Sequence, residues 1–309
     1  MSQIERAILC TVLYADVFDF AMTPREIHHF LICETPVALA DIEDALHTST
    51  WLRQHIDQRN GLVFRAGREE LVEIRAERER IAAELMPAAR MYGSWLSRLP
   101  FVRMVALTGA LAMRNPDSRH DDFDYLLVTA PGRVWLARAF SILLVRLGKL
   151  RGVTICPNYV LSESALVQDN QNLFIAHELA QMLPLFGHDL YRAMRAANGW
   201  SNAFLPNAKD AFYTLETQSP AAPWRLFKQA LEVLLGGRLG NRLEAWERRR
   251  KLRRFAADLQ TPEHAARLDD EHVKGHFQDH GQRVLREYRA RLEAHGLLEA
   301  SPKPNHVSV

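Results

Sequence analysis

Cysteine is scarce in this chain: three in 309 residues, at positions 10, 33 and 156, an odd number with no C-x-x-C spacing. That argues against a disulfide framework or a zinc ribbon and for reduced thiols. Neither sign of charge dominates, with 39 Lys and Arg against 37 Asp and Glu and a net charge of +2. Global attraction to nucleic acid or an anionic membrane is therefore weak, and any basic binding surface has to be local. Long apolar runs are also missing. The most apolar helix candidate, 134–147, is interrupted by Arg138 and Arg146; it is too short to span a bilayer and reads as a packed core helix. The opening Met-Ser-Gln-Ile-Glu-Arg is polar, unlike a secretory signal, so a cytoplasmic location is expected. No fixed-period repeat or low-complexity segment is evident. What is present is an ordinary globular composition, 48% hydrophobic and 25% charged, in a chain long enough for about two domains and a large core.

The informative segment begins at Val105-Ala-Leu-Thr-Gly109-Ala110 and continues at Asp122-Phe-Asp124-Tyr-Leu-Leu-Val128. In a strand, side chains alternate faces, so Asp122 and Asp124 point the same way, roughly 6 to 7 Å apart. Two like charges set together in an apolar run are costly without a partner, and a divalent cation is the usual compensation. Hard carboxylate oxygens suit Mg²⁺, which completes its shell with waters and substrate phosphates.

A hydrophobic stretch, a glycine and a small residue, a gap, and then Asp-x-Asp among hydrophobics resembles the DNA polymerase beta-like nucleotidyltransferase superfamily, over about residues 100–165. The resemblance implies that Gly109 and Ala110 form the turn whose backbone approaches a nucleoside triphosphate, and that Asp122 and Asp124 hold metal. It implies an Mg²⁺-dependent transfer of a nucleoside monophosphate from an NTP, with ATP the expected donor, to an unidentified small-molecule, RNA or protein acceptor, releasing pyrophosphate. Two departures stand out. Ala110 replaces the usual Ser or Gly, and the next strand candidate, 153–160, has no acid. Asn158 is the nearest substitute for the third carboxylate, with Glu163 as the alternative donor. Arg114 and Arg119, between the turn and the acids, are candidates for countering charge on the leaving pyrophosphate. A binding or regulatory protein that uses the core to sense a nucleotide is the second reading, supported by the missing acid.

Upstream, residues 1–80 read as a winged-helix-like module: a helix over 4–15, a second opened by Thr23 as N-cap and Pro24, a third over 39–46, and a hairpin turned at Asn60-Gly61. The third helix, Ala40-Asp-Ile-Glu-Asp-Ala45, is acidic. Phosphate neutralisation dominates DNA affinity, so DNA binding is not expected and a protein partner is favoured. Residues 68–99 read as a helix broken near Pro87, with Arg75, Glu77, Arg78, Glu79 and Arg80 on a solvated face. The nucleotidyltransferase-like core, 81–165, alternates strands 102–108, 122–129 and 153–161 with a helix over 132–148. Residues 166–309 read as a helical C-terminal region, with helices over 173–197 (interrupted at Pro184 and Gly187), 224–235, 241–259 and 267–295, then a frayed 301–309. The fold class expected is α+β, with a mixed sheet.

Other constellations are weaker. His177-Glu178 opens like a zincin helix, but Gln181 stands where the second imidazole is needed; these residues are better read as lining a cleft. His272, His276 and His280 recur every fourth residue and suggest a histidine stripe on a helix. Arg248-Arg-Arg-Lys251-Leu-Arg253-Arg254 is the densest basic run and reads as a solvated helix face.

Overall fold

The computed structural model describes residues 1–215, 221–255, 267–274 and 280–298, apart from the side chain of Asn158. The architecture is α+β, and the chain divides into two units. Unit one joins Met1–Arg75, Ala203–Ala208 and the C-terminal segment from His280; unit two comprises Ala76–Asn202 and Lys209–Asp279.

In unit one, α1 (Gln3–Asp16) starts at a capping box in which Ser2 and Glu5 satisfy each other's backbone amides. α2 (Pro24–His29) starts the same way from Thr23 and Glu26, with Pro24 in the first turn. α3 (Leu39–Thr48) follows, burying Ile42 and Leu46 and exposing Asp41, Glu43 and Asp44. β1 (Ile56–Arg59) and β2 (Leu62–Arg65) pair as an antiparallel hairpin. Its turn residues, Asn60 and Gly61, have φ of 54° and 76°, the positive values that this dipeptide tolerates.

α4 (Glu70–Ser97) runs without a break through Pro87, contrary to the expected interruption. Pro87 is exposed, and the burial of Ala82, Ala89, Tyr92 and Leu96 holds both sides of the helix in register against the loss of one hydrogen bond. Arg75 is not on a solvated face. It is 3% exposed and paired at 2.8 Å with Glu26, itself 1% exposed, while its guanidinium lies 4.1 Å from the centre of the Phe20 ring. Glu77 and Arg80 do pair on the exposed side.

Unit two is built on β3 (Val102–Leu107), β4 (Phe123–Thr129), β5 (Ile155–Ser162), β6 (Leu183–Phe186), β7 (Arg267–Leu268) and β8 (His272–Lys274). They form one mixed sheet in the order β6-β3-β4-β5-β8-β7. β4 and β5 are parallel and joined through α6 (Val134–Lys149), as a parallel connection requires. Phe123, Tyr125 and Leu127 face the cluster that contains α4 and α6. Leu126 and Val128 face the other side, toward Leu179, Tyr191 and Met194, which belong to α7 (Leu173–Gln181) and α8 (His188–Ala197). Tyr125 Oη donates to the Ala89 carbonyl at 2.6 Å and ties α4 to β4.

The region 166–309 is not wholly helical. The expected helical interruption at Pro184 and Gly187 holds edge strand β6, where a missing N–H is tolerated. Residues 267–274 form the β7–β8 hairpin rather than the start of a helix, because Asp269 accepts from the amides of Glu271 and His272 at 2.8 and 2.6 Å and closes a turn. The histidine stripe is thereby lost: His272 is buried in β8 beside Tyr159, His280 opens α11 (His280–Ala294), and His276 lies outside the described residues. α11 belongs to unit one, where Arg291 pairs with buried Asp16 at 2.7 Å. The helices expected at 224–235 and 241–259 are α9 (Ala222–Gly236) and α10 (Arg238–Arg254); 256–259 and the tail 301–309 lie outside the described residues.

Candidate metal centre

The site lies where β3 ends and β4 and β5 begin. Asp122 precedes β4 and Asp124 is its second residue; period-two alternation sets both on the α7–α8 side of the sheet. Parallel pairing places Cys156 of β5 directly beside Asp124, on that same side. One ligand atom each from Asp122, Asp124 and Cys156 lies within 4.8 Å of the others, and all three residues are half-buried. Two hard oxygens and one soft sulfur on converging side chains can hold a divalent ion.

The turn after β3 is built around the same carboxylate. Thr108 N donates to the Asp124 carbonyl at 2.9 Å. Gly109 adopts φ of +67°, and a Cβ placed there would meet Asp124 Oδ2, with the carboxyl carbon at 3.2 Å. Glycine is required twice over, for its left-handed backbone and for the space Asp124 fills. Gly109 and Ala110 then begin the single-turn helix α5 (Gly109–Ala112), and Ala110 is exposed.

Cys156 is the residue that sequence reasoning missed as a site member. The register between β4 and β5 shifts after Asp124 and Cys156, so Leu126 pairs with Tyr159, and the extra residue falls at Pro157-Asn158. Proline cannot donate to the ladder and so favours a bulge. Cys156 stands opposite Asp124 as a result, where an unbroken register would set Pro157, and Asn158 pairs beside neither acid. The available signal was a proline inside an apparent core strand. Glu163 is not near the acids: its amide bonds the Thr129 carbonyl at the other end of β4, roughly 17 Å along the strand.

Burial and the hydrogen bond to Asp122 push the Cys156 thiol far above its ordinary range, reinforced by the charges of Asp122 and Asp124. Without a cation the sulfur is therefore a protonated donor. Asp121 is raised by its burial, and its Oδ2 accepts from the Asp117 amide at 3.0 Å, closing the loop that leads into β4.

The two arginines expected to face phosphate both have partners within the protein. Arg119 is exposed and bonded to Glu84 of α4 at 2.6 Å. Arg114, with φ of 55°, stacks on the Tyr213 ring at 4.1 Å. Arg114 and Tyr213 line an open cleft of about 820 Å³, together with Met86, Arg90, Leu185 and Leu215. Its lining excludes Asp122 and Asp124, so cleft and acid cluster are separate features.

α7 lies over the sheet face that carries the acids. His177 is buried there, and Gln181 donates to Glu178. Burial raises the Glu178 carboxyl to about 7, opposed by the charge of Lys274. Among the described residues no helix is long and apolar enough to cross a membrane. Compared with known protein families, with curated proteins and with solved structures, the chain has no match in any of the three.

Proposed function

We propose that unit two is a nucleotidyltransferase-type core that binds a divalent ion and a nucleoside triphosphate at Asp122, Asp124 and Cys156, and transfers the nucleoside monophosphate to an acceptor with release of pyrophosphate. The observation that carries this reading is the fit of Gly109 against Asp124, with Asp122 and Cys156 converging on the same point. A glycine bend beside paired carboxylates gives the backbone and the ligands access to one small volume. The first amides of a helical turn have no partner within the helix, so those of Gly109 and Ala110 are suited to phosphate oxygens. A cation held there supplies Lewis-acid stabilisation of charge on the reacting phosphoryl group. ATP is the donor we favour, and the acceptor is a small molecule, RNA or protein.

Cys156 shapes the choice of metal. Two carboxylates suit Mg²⁺ or Mn²⁺, but a thiol in the third position moves preference toward a softer ion such as Zn²⁺. Cys156 also supports the second reading, a nucleotide-binding regulatory protein with weak turnover, because a sulfur engaged as a metal ligand does not serve as the base for the acceptor's proton as a third carboxylate would. In both readings unit one acts as a winged-helix-like module for a protein partner, and the acidic exposed face of α3 speaks against DNA.

The test is calorimetric titration with ATP in the presence of Mg²⁺, Mn²⁺ or Zn²⁺, alongside a pyrophosphate-release assay with candidate acceptors. Metal-dependent binding that Asp124→Asn abolishes, together with release of pyrophosphate, supports the enzyme. Binding without turnover in any metal supports the regulatory reading. Absence of metal-dependent nucleotide binding overturns both.

A further inference from the structure

α9 and α10 are turned inside out. In α9 the positions that share the inward face are Lys228, Leu231, Glu232 and Leu235, and two of the four are charged. Lys228 Nζ donates to the Ser97 carbonyl at 2.9 Å, and Glu232 accepts from the Phe101 amide at 2.6 Å and from Arg103 at 2.8 Å. The opposite face carries Leu226, Phe227, Val233 and Leu234, which are 66%, 56%, 83% and 63% exposed. α10 repeats the pattern. Glu247 and Lys251 are buried, and Glu244 accepts from the amides of Trp135 and Leu136 at 2.8 Å each, capping α6. Outward stand Leu239, Leu243 and Trp246, at helical spacing.

An exposed apolar face on each of two packed helices calls for a cover. Its charge identifies the cover. Arg238, Arg242, Arg249, Arg253 and Arg254 are exposed on α10, and neither helix exposes an acid. The basic run read from the sequence as a solvated face thus frames an apolar one, in a chain whose net charge is only +2. A second copy of this chain, paired face to face, would set arginine against arginine across the twofold axis. Nucleic acid would satisfy the arginines but offers nothing to the leucines and valine. A bilayer surface of anionic lipid satisfies both, since acyl chains take the aliphatic side chains, the interface takes tryptophan, and headgroup phosphates take guanidinium groups.

We infer that the outer faces of α9 and α10 form an interfacial binding surface for anionic phospholipid. The surface lies on the membrane without crossing it. The inference does not rest on nucleotidyl transfer and stands or falls separately from it.

The test uses the full-length protein in sedimentation with vesicles of phosphatidylglycerol and phosphatidylcholine in equal parts, against phosphatidylcholine alone. Binding at least tenfold tighter to the anionic vesicles, weakened by raising NaCl from 50 to 300 mM, is expected. Trp246→Gln, and separately Leu226→Gln with Leu234→Gln, should reduce it tenfold or more. Arg242→Gln with Arg249→Gln should reduce it roughly fivefold per arginine. Circular dichroism melting checks that these surface variants remain folded, and the arginine pair supplies a readout that leaves the apolar residues untouched. Equal binding to both vesicle types, or binding indifferent to all the variants, overturns the inference. So does a Trp246-dependent dimer by light scattering without lipid, or tighter binding to single-stranded RNA or an acidic polypeptide than to vesicles.

Discussion

Gly109 and Asp124 occupy each other's space: the glycine has φ of +67° and no room for a Cβ, because the Asp124 carboxyl fills the position where one would stand. The strand β3 and the paired carboxylates are thus locked into one geometry by a single missing methyl. Gly109→Ala should cost about 1–3 kcal/mol, from a left-handed alanine and a displaced carboxylate. More tellingly, it should weaken divalent-ion binding at least tenfold, measured by calorimetry beside a thermal melt. An alanine variant that binds metal like the parent would show that the contact does not position a ligand.

The pairing of Cys156 with Asp124 across β4 and β5 predicts a metal preference. Replacing a soft sulfur by a hard oxygen should favour hard ions. Cys156→Asp is expected to tighten Mg²⁺ binding by about tenfold and to loosen Zn²⁺ binding relative to the parent. Titration of each ion into both proteins checks the sign. If both ions respond alike, the sulfur is not a ligand.

How much of this was legible in the sequence depends on how far apart the deciding residues lie. Asn60-Gly61 and Thr23-Pro24 act within a few residues of themselves, and the hairpin and α2 begin where those dipeptides indicate. The shared face of Asp122 and Asp124 follows from alternation alone. Cys156 was hidden because its place opposite Asp124 depends on a parallel register and on a bulge at Pro157, neither of which is local. β7 and β8 were hidden for a related reason: segments of two and three residues become strands only because β8 finds the edge of β5 and β7 then pairs with β8. Arg75 looked solvated among charged neighbours because Glu26, 49 residues away, is what buries it.

That pair carries its own prediction. Glu26 accepts from Arg75 Nη2 at 2.8 Å with one oxygen and from the Thr23 amide at 2.7 Å with the other. Glu26→Ala leaves a buried guanidinium without its counter-ion and removes half of the capping box, so a loss of about 3–5 kcal/mol is expected in urea unfolding. The double variant Glu26→Leu with Arg75→Met should recover most of that loss, because it removes both charges together. A double variant as unstable as the single one would assign the effect to the cap rather than to the ion pair.

Glu178 predicts a pH dependence of the opposite sign to that of a paired carboxylate. Burial holds its carboxyl near 7 in the folded protein, against 4.5 as the ordinary value, with Lys274 opposing the shift. The folded state therefore keeps a proton that the unfolded chain has already released between those two values. Where the native state binds more protons, stability falls as pH rises. The contribution is fully present below about 4.5 and is lost as pH climbs through about 7. Glu178→Gln preserves the shape of the side chain and stays neutral throughout. It should leave the melting temperature at pH 4.5 near that of the parent and raise stability at pH 8 by about 1–3 kcal/mol, flattening the profile between. Parallel melting curves for parent and variant across that window would mean that Glu178 ionises freely. A crossing in which the variant loses stability at pH 8 would mean that the charged carboxylate is held by Lys274 more strongly than burial opposes it.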